Sequence, residues 1–247
     1  MRTLKLTLAY DGTRFVGWQR QAQGLSIQGL VEEALARLEG APVTVHGAGR
    51  TDAGVHALGQ VASAEIKAAH AVEVIVRALN ANLPPEIRVT CVEEAAPGFH
   101  ARFSARAKTY RYVIRNAAIL SPFERAYAWH IPDALDRDAM QEAAAALVGT
   151  HDFSAFRSAG SEVTSTTRTM TRAGFARQDD PGLLTFEITG DGFLRHMVRA
   201  IVGTLVETGR GQRPASSMSV LLAGRGRTEA GATAPPHGLF LVRVDYD

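Results

Sequence analysis

A chain of 247 residues, 46% of them hydrophobic, is long enough to bury one large core or two smaller ones without disulfide or metal staples. Its single cysteine excludes an internal disulfide, and 27 basic against 25 acidic residues leave a net charge of +2, too small by itself to identify an anionic partner. Neither a charged leader nor an apolar run of membrane-spanning length is visible, so a soluble cytoplasmic protein with no membrane attachment is expected.

Leu4 to Tyr10 alternates as a strand and stops at Asp11-Gly12. Ser26 then precedes an amphipathic helix pattern (Ile27, Leu30, Val31, Ala34, Leu35, Leu38) that closes on Gly40. Val43 to His46 and Gln60 to Ile66 read as short strands around a Gly-rich connection, His70 to Ala81 as a helix, and Ile87 to Glu93 as a strand in which Cys91 is a small buried hydrophobe. The second half repeats the order: strand Lys108 to Arg115, helix Asp136 to Val148, strands Thr166 to Ala176 and Leu183 to Ile188, helix Phe193 to Thr208, a short extra helix near Ser216 to Leu222, and a last strand Leu239 to Tyr246. Two βαββαβ strings predict an α+β fold of two ferredoxin-like units, residues 1–100 and 101–247, joined near 95–107. The halves share element order only, and such sheets serve many chemistries, so the sites must decide the function.

Between two of the strands lies Gly47-Ala48-Gly49-Arg50-Thr51-Asp52-Ala53-Gly54-Val55-His56. Glycines permit tight turns and close approaches, so this loop suits delivery of Asp52 against a ligand, where a carboxylate kept charged by an arginine is a competent nucleophile. On composition alone the loop reads first as a surface turn with Asp52 capping the backbone and Arg50 solvated. It lacks the Lys-Ser or Lys-Thr that a nucleotide-phosphate loop carries after its glycines.

From Phe99 to Arg115, Arg102, Arg106, Lys108, Arg111 and Arg115 are interleaved with Phe99, Phe103, Tyr110 and Tyr112, a mixture suited to gripping phosphates and stacking on bases; ordinary core packing is the alternative for Tyr112. The helix after Gly190 and Gly192 offers its first N–H groups to a phosphate and sets Arg195 and Arg199 one turn apart, Arg199 aimed toward a carboxylate. His56 and His196 read as phosphate or backbone contacts. No histidine pair has a metal-ligand spacing; His151-Asp152 sustains only a metal-dependent hydrolase as a minor rival. A non-catalytic RNA-binding module, with Asp52 a mere turn residue, is the other rival.

Several of these segments occur together in one known family. Tyr10-Asp11-Gly12-Thr13 with Phe15 and Gly17-Trp18-Gln19, the Gly47 to His56 loop, Phe99-His100-Ala101-Arg102-Phe103-Ser104-Ala105, Lys108 with Tyr110 and Tyr112, Met197-Val198-Arg199, and Gly231-Ala232-Thr233-Ala234-Pro235 before Gly238-Leu239 resemble the bacterial tRNA pseudouridine synthase A family from first strand to last. Ala64 departs from it, standing where an aromatic residue is expected. The resemblance implies isomerisation of uridine to pseudouridine at positions 38 to 40 of the tRNA anticodon arm, without cofactor or metal. It implies Asp52 as nucleophile, Tyr110 against the target base, and Arg50 and Arg199 positioning the flipped nucleotide or pairing with Asp52. It also implies a homodimer whose two subunits one tRNA spans, and a pseudouridine synthase fold whose two sheets flank a basic RNA-binding cleft.

Overall fold

A computed structural model describes residues 1–158, 164–176 and 179–246. In chain order the elements are β1 (Arg2–Tyr10), α1 (Ile27–Glu39), β2 (Val45–Gly47), β3 (His56–Ile66), α2 (Val72–Asn82), β4 (Ile87–Ala95), β5 (Ala107–Asn116), β6 (Trp129–Ile131), α3 (Arg137–Ala145), β7 (Gly149–Asp152), β8 (Thr167–Ala176), β9 (Leu183–Gly190), α4 (Met197–Gly209), α5 (Ser217–Leu222) and β10 (Leu239–Asp245), with short 3-10 turns between some of them. The fold is α+β with mixed strand directions. Among the described residues no helix is long and apolar enough to cross a membrane. The chain divides into two compact units, Met1–Arg106 with Phe240–Asp247, and Ala107–Leu239.

In the first unit β1 lies between β3 and β4, antiparallel to both. Its alternation sends Leu4, Leu6, Leu8 and Tyr10 into the core, all 4% exposed or less. Ser26 caps α1 by accepting from the Gly29 N–H, and the buried stripe Ile27, Val31, Ala34 and Leu35 follows the helical period. β2 pairs antiparallel with the far end of β3, Val45 opposite Ala64, both buried. β3 begins at His56 rather than Gln60, since Ala57 and Gln60 pair with Tyr10 and Leu8. The final strand was expected in the second sheet; instead β10 runs parallel to β3, with Phe240 opposite His56. Cys91 is exposed, not buried: the register against β1 slips between Thr7 and Leu8, and the bulge hands the inward position after Val89 to Val92.

In the second unit β5, β9, β8 and β7 form an antiparallel series in that order, and β6 adds to β5 in parallel. Tyr112, Ile114, Met170, Phe186 and Ile188 are buried, as are Met140 and Ala143 of α3 and Val198, Ile201, Val202 and Leu205 of α4. α4 starts four residues later than the apolar stripe suggested. His196, at φ 62°, is the one left-handed non-glycine among the described residues, and it breaks the helical run. Arg195 therefore precedes α4 instead of sharing a face of it with Arg199, and the helix begins at Met197, whose N–H donates to Leu194 O (3.1 Å), not directly after Gly192.

Candidate active site

The Gly47 to His56 loop leaves β2 and returns as β3, and its backbone is fastened on several sides. Ala48 N–H donates to Val61 O (2.8 Å), and Ala48 is buried with Val61 and Ala101. Gln60, fully buried on β3, donates from Nε2 to Gly49 O (2.9 Å) and to the Tyr10 hydroxyl (3.4 Å). Tyr10 and Thr51 share a hydroxyl hydrogen bond of 2.8 Å, and Trp18 N–H donates to Thr51 O at 3.0 Å. Burial pushes the Tyr10 phenol up to about 12, against the opposing hydrogen bonds from Thr51 and Gln60, so it stays protonated at neutral pH. A turn follows, closed by Val55 N–H on Asp52 O (3.1 Å). It requires φ +77° at Gly54, which glycine adopts without steric cost. Asp52 sits at the head of this turn, half-buried, while Thr51 and Val55 on either side are buried.

Arg50 lies outward on the same loop and donates from Nε to Gln19 Oε1 (3.1 Å), itself fixed by Gln28. His56 is 1% exposed, accepts the Gly12 N–H at Nδ1 (3.0 Å) and stacks on Phe240, so its expected backbone contact is found in the core, not at a phosphate-facing surface.

Tyr110 and Arg199 belong to the second unit. Tyr110, on β5, is 7% exposed and meets the Phe193 ring edge-on at 4.9 Å. Tyr112, two residues on, is fully buried and its hydroxyl donates to Pro235 O (2.8 Å): of the two readings of this residue, core packing is the one observed. Burial drives its phenol far up, with the Arg199 charge acting in the opposite sense. Arg199 Nε donates to Ala234 O (2.7 Å) and Ala234 N–H donates back to Arg199 O (3.0 Å). The Gly231 to Pro235 segment is seated on α4 by two further bonds, Gly231 N–H to Thr204 Oγ1 and Ala232 N–H to Glu207 Oε1, both 2.9 Å. His237 is held toward its neutral form by burial and by the Arg199 charge, opposed by a backbone hydrogen bond with Ala128.

The basic and aromatic run is less open to phosphate than its composition suggests. Arg111 pairs with Glu187, and Arg115 with Glu124 and Asp180. His151 contacts Val148 O (3.0 Å), and Asp152 accepts the Ser154 N–H (2.9 Å), its carboxyl held below the usual range first by Thr166. Both have local structural work. Among the described residues no three His, Cys, Asp or Glu side chains are grouped to hold a metal. A concavity of about 600 Å³ in the second unit, lined among others by Arg137, Gln141, Phe175 and Leu183, includes none of Asp52, Arg50, Tyr110 and Arg199.

The tRNA pseudouridine synthase family profile matches residues 7–104 and 143–247, which contain the whole Asp52 loop and α4. The chain belongs to the tRNA pseudouridine synthase family. It is 47% identical over 246 residues to tRNA pseudouridine synthase A of Geobacter sulfurreducens, with both chains covered in full. It is 49% identical to the enzyme of that name from Shouchella clausii, over all of this chain and 94% of the other, and 48% identical to that of Moorella thermoacetica over the full length of both. Among solved structures it aligns with an archaeal box H/ACA Nop10-Cbf5 complex at 10% identity and a TM-score of 0.38, covering 96% of this chain and 47% of that one, about half its length. So slight a likeness bears no weight for the fold.

Within this pseudouridine synthase the residues that fasten the loop, Tyr10, Thr51 and Gln60, were not singled out by sequence reasoning as site residues. Tyr10 stood in a quoted motif, but only as part of a word. Gln60 carried a weak signal, a long amide side chain at an inward position of a strand, where burial demands hydrogen-bond partners. Tyr110 lies outside the two profile-matched segments, so the profile is silent on it.

Proposed function

We propose that the protein isomerises uridine to pseudouridine at positions 38, 39 and 40 of the tRNA anticodon arm, with Asp52 as the nucleophile. The reaction exchanges a carbon–nitrogen glycosidic bond for a carbon–carbon bond on the same base. The base must detach, turn and reattach, so the nucleotide has to leave its stack and be held. Asp52 bonds transiently to the substrate and is then displaced. Tyr110 contacts the target base, and its phenol is the group for proton traffic; Arg50 and Arg199 position the flipped nucleotide. No cofactor or metal enters the reaction. The enzyme works in the cytoplasm as a homodimer, with one tRNA spanning both subunits. The reading of each half as a ferredoxin-like unit, the two sheets flanking a basic cleft, belongs to the same proposal. Its support in the first half is the antiparallel series β4, β1, β3, β2.

The observation that carries this reading is the Asp52 loop in a chain related over its full length to the synthases: a half-buried aspartate on a turn whose preceding residues are held by Tyr10 on the Thr51 hydroxyl and by Trp18 and Gln60 on the backbone. A residue that is only a turn former has no need of such a frame. The test is tritium release from tRNA labelled at uridine C5, in the protein and in Asp52→Ala and Asp52→Asn variants. Both substitutions should abolish release while melting behaviour and tRNA binding persist. Turnover retained in either variant removes Asp52 from its role, and unaltered function on all RNA readouts leaves the binding-module reading.

A further inference from the structure

The first unit carries a second feature that the Asp52 chemistry does not use. Phe103 is 78% exposed, yet it is not a stray apolar side chain. His100 O accepts the Ser104 N–H (2.9 Å) and Ser104 Oγ accepts the His100 N–H (3.1 Å), closing a turn from 100 to 104. Inside it, His100 Nδ1 accepts the N–H groups of Arg102 (3.1 Å) and Phe103 (3.4 Å). Those bonds require a lone pair on Nδ1, and burial together with the charges of His46 and Arg102 keeps the ring toward its neutral form. The turn thereby fixes a row of flat groups: His46 against His100 at 4.8 Å, His100 against Phe103 at 4.4 Å, and the Arg102 guanidinium 5.8 Å from the centre of the Phe103 ring.

This row is anchored to the root of the candidate catalytic loop. Ala101, in the middle of the turn, is fully buried against Ala48 and Val61, and Phe99 and Tyr246 pack on the same cluster. Its N–H donates to Ser63 Oγ on β3 (3.1 Å) and its carbonyl accepts the Tyr246 hydroxyl (2.7 Å). Ala48 begins the loop that carries Asp52, so anything held on Phe103 is held in fixed relation to that loop's base.

We propose that the exposed face of Phe103 is a stacking platform for an unpaired nucleobase of the RNA substrate, with Arg102 beside it meeting the adjoining phosphate. An open ring with a cation at its side, fixed by its neighbours, is the arrangement that binds single-stranded bases without reading their identity. This inference rests on the tRNA reading above and adds a grip on the RNA away from the reacting uridine.

The test compares Phe103→Ala, Phe103→Leu and Phe103→Trp in the full chain, using intact tRNA and two readouts, binding by fluorescence anisotropy and pseudouridine formation. One stacked base corresponds to roughly a fivefold to hundredfold effect on affinity. Alanine and leucine should both weaken binding and raise KM by such a factor with kcat within about twofold, while tryptophan preserves both. In the unaltered protein, 4-thiouridine placed in tRNA loops should photocrosslink to Phe103. Unchanged binding in the alanine variant overturns the proposal. So does rescue by leucine, or a change in sedimentation without a change in tRNA affinity, since both point to a protein partner packed on an apolar side chain. Should the unaltered protein form no pseudouridine, the functional reading fails, but anisotropy and crosslinking still decide the platform. If it is active and Phe103→Ala binds tRNA normally, the platform alone is lost.

Discussion

Tyr10 ends β1 with its hydroxyl pointed at Thr51, and that single bond ties the first strand to the residue preceding Asp52. Replacing it with phenylalanine keeps the buried ring and removes the hydroxyl's bonds with Thr51 and, more weakly, Gln60, stranding Thr51 Oγ1 in a buried site. The expected cost is about 1–2 kcal/mol of stability. Activity should fall further than tRNA affinity, because a loosened loop misplaces the carboxylate without touching the surface that holds RNA. The phenol also sets an alkaline limit. Its folded pKa lies above that of the unfolded chain, so its contribution is complete below about pH 10 and is lost as the pH climbs toward about 12. Denaturation followed across that interval should show a smaller decline in Tyr10→Phe than in the unaltered protein. An equal decline would mean that Tyr10 does not carry the penalty, leaving it to Tyr112 and Tyr246, which burial also raises. Local composition marked the Gly47 to His56 loop as a site, since three glycines surround one arginine and one carboxylate within eight residues. The frame that holds it was not legible, because bonds between residues 41 and 50 positions apart leave no local pattern.

At the scale of elements, caps and apolar periods served well and strain did not. Ser26 and the stripe behind it marked α1 in the sequence almost to the residue. The same reasoning ran α4 back to Phe193, because its apolar stripe extends through Leu194; nothing in a hydrophobic period announces a left-handed His196. The alternation through Ile87, Val89 and Cys91 likewise could not register an extra residue in one strand of a pair. α4 also carries the clearest prediction at this scale. Alanine for glycine inside a helix ordinarily stabilises by about 1 kcal/mol. At Gly203 the sign should reverse, since a Cβ there would lie 1.6 Å from Ala232 O, backbone that cannot step aside. Gly203→Ala must push the Gly231 to Pro235 segment off the helix, taking with it the pair of hydrogen bonds between Ala234 and Arg199. Overpacking of this kind costs about 1–3 kcal/mol, and pseudouridine formation should drop along with the melting temperature. A neighbouring Thr204→Val variant, which loses the bond from Gly231 and the hydroxyl's own bond to Ala200 O but creates no overlap with the segment, should be milder on both counts. A stabilised Gly203→Ala protein would show that the segment is not seated as described.

At the scale of the whole molecule, the order of strands and helices was readable but the allegiance of the last strand was not. β10 closes the second βαββαβ string in sequence, yet it pairs with β3 and is counted with the first compact unit; pairing between residues nearly two hundred positions apart depends on tertiary contacts, not on pattern. Charge behaves similarly. The net value of +2 hides the fact that many arginines are spent internally, on Glu32, Glu86, Glu187, Glu124 and Glu207 among others. Others rest on neutral groups: Arg50 on Gln19, Arg125 on Pro122 O, Arg168 on backbone carbonyls, and Arg102 on the face of Phe103. A cation held by a neutral partner keeps its whole charge for a phosphate. If only the net charge acted, the logarithm of tRNA affinity would fall against the logarithm of salt concentration with a slope of about −2. With these locally uncompensated cations acting separately, the slope should be steeper than about −3, and Arg50→Gln and Arg102→Gln should each flatten it by roughly one. Anisotropy titrations between 50 and 300 mM potassium chloride, with magnesium held constant so that the RNA stays folded, measure this directly. A slope near zero would show that phosphate contacts contribute little to tRNA binding. A steep slope that both variants leave untouched would move the contacts to other cations while keeping the RNA as partner.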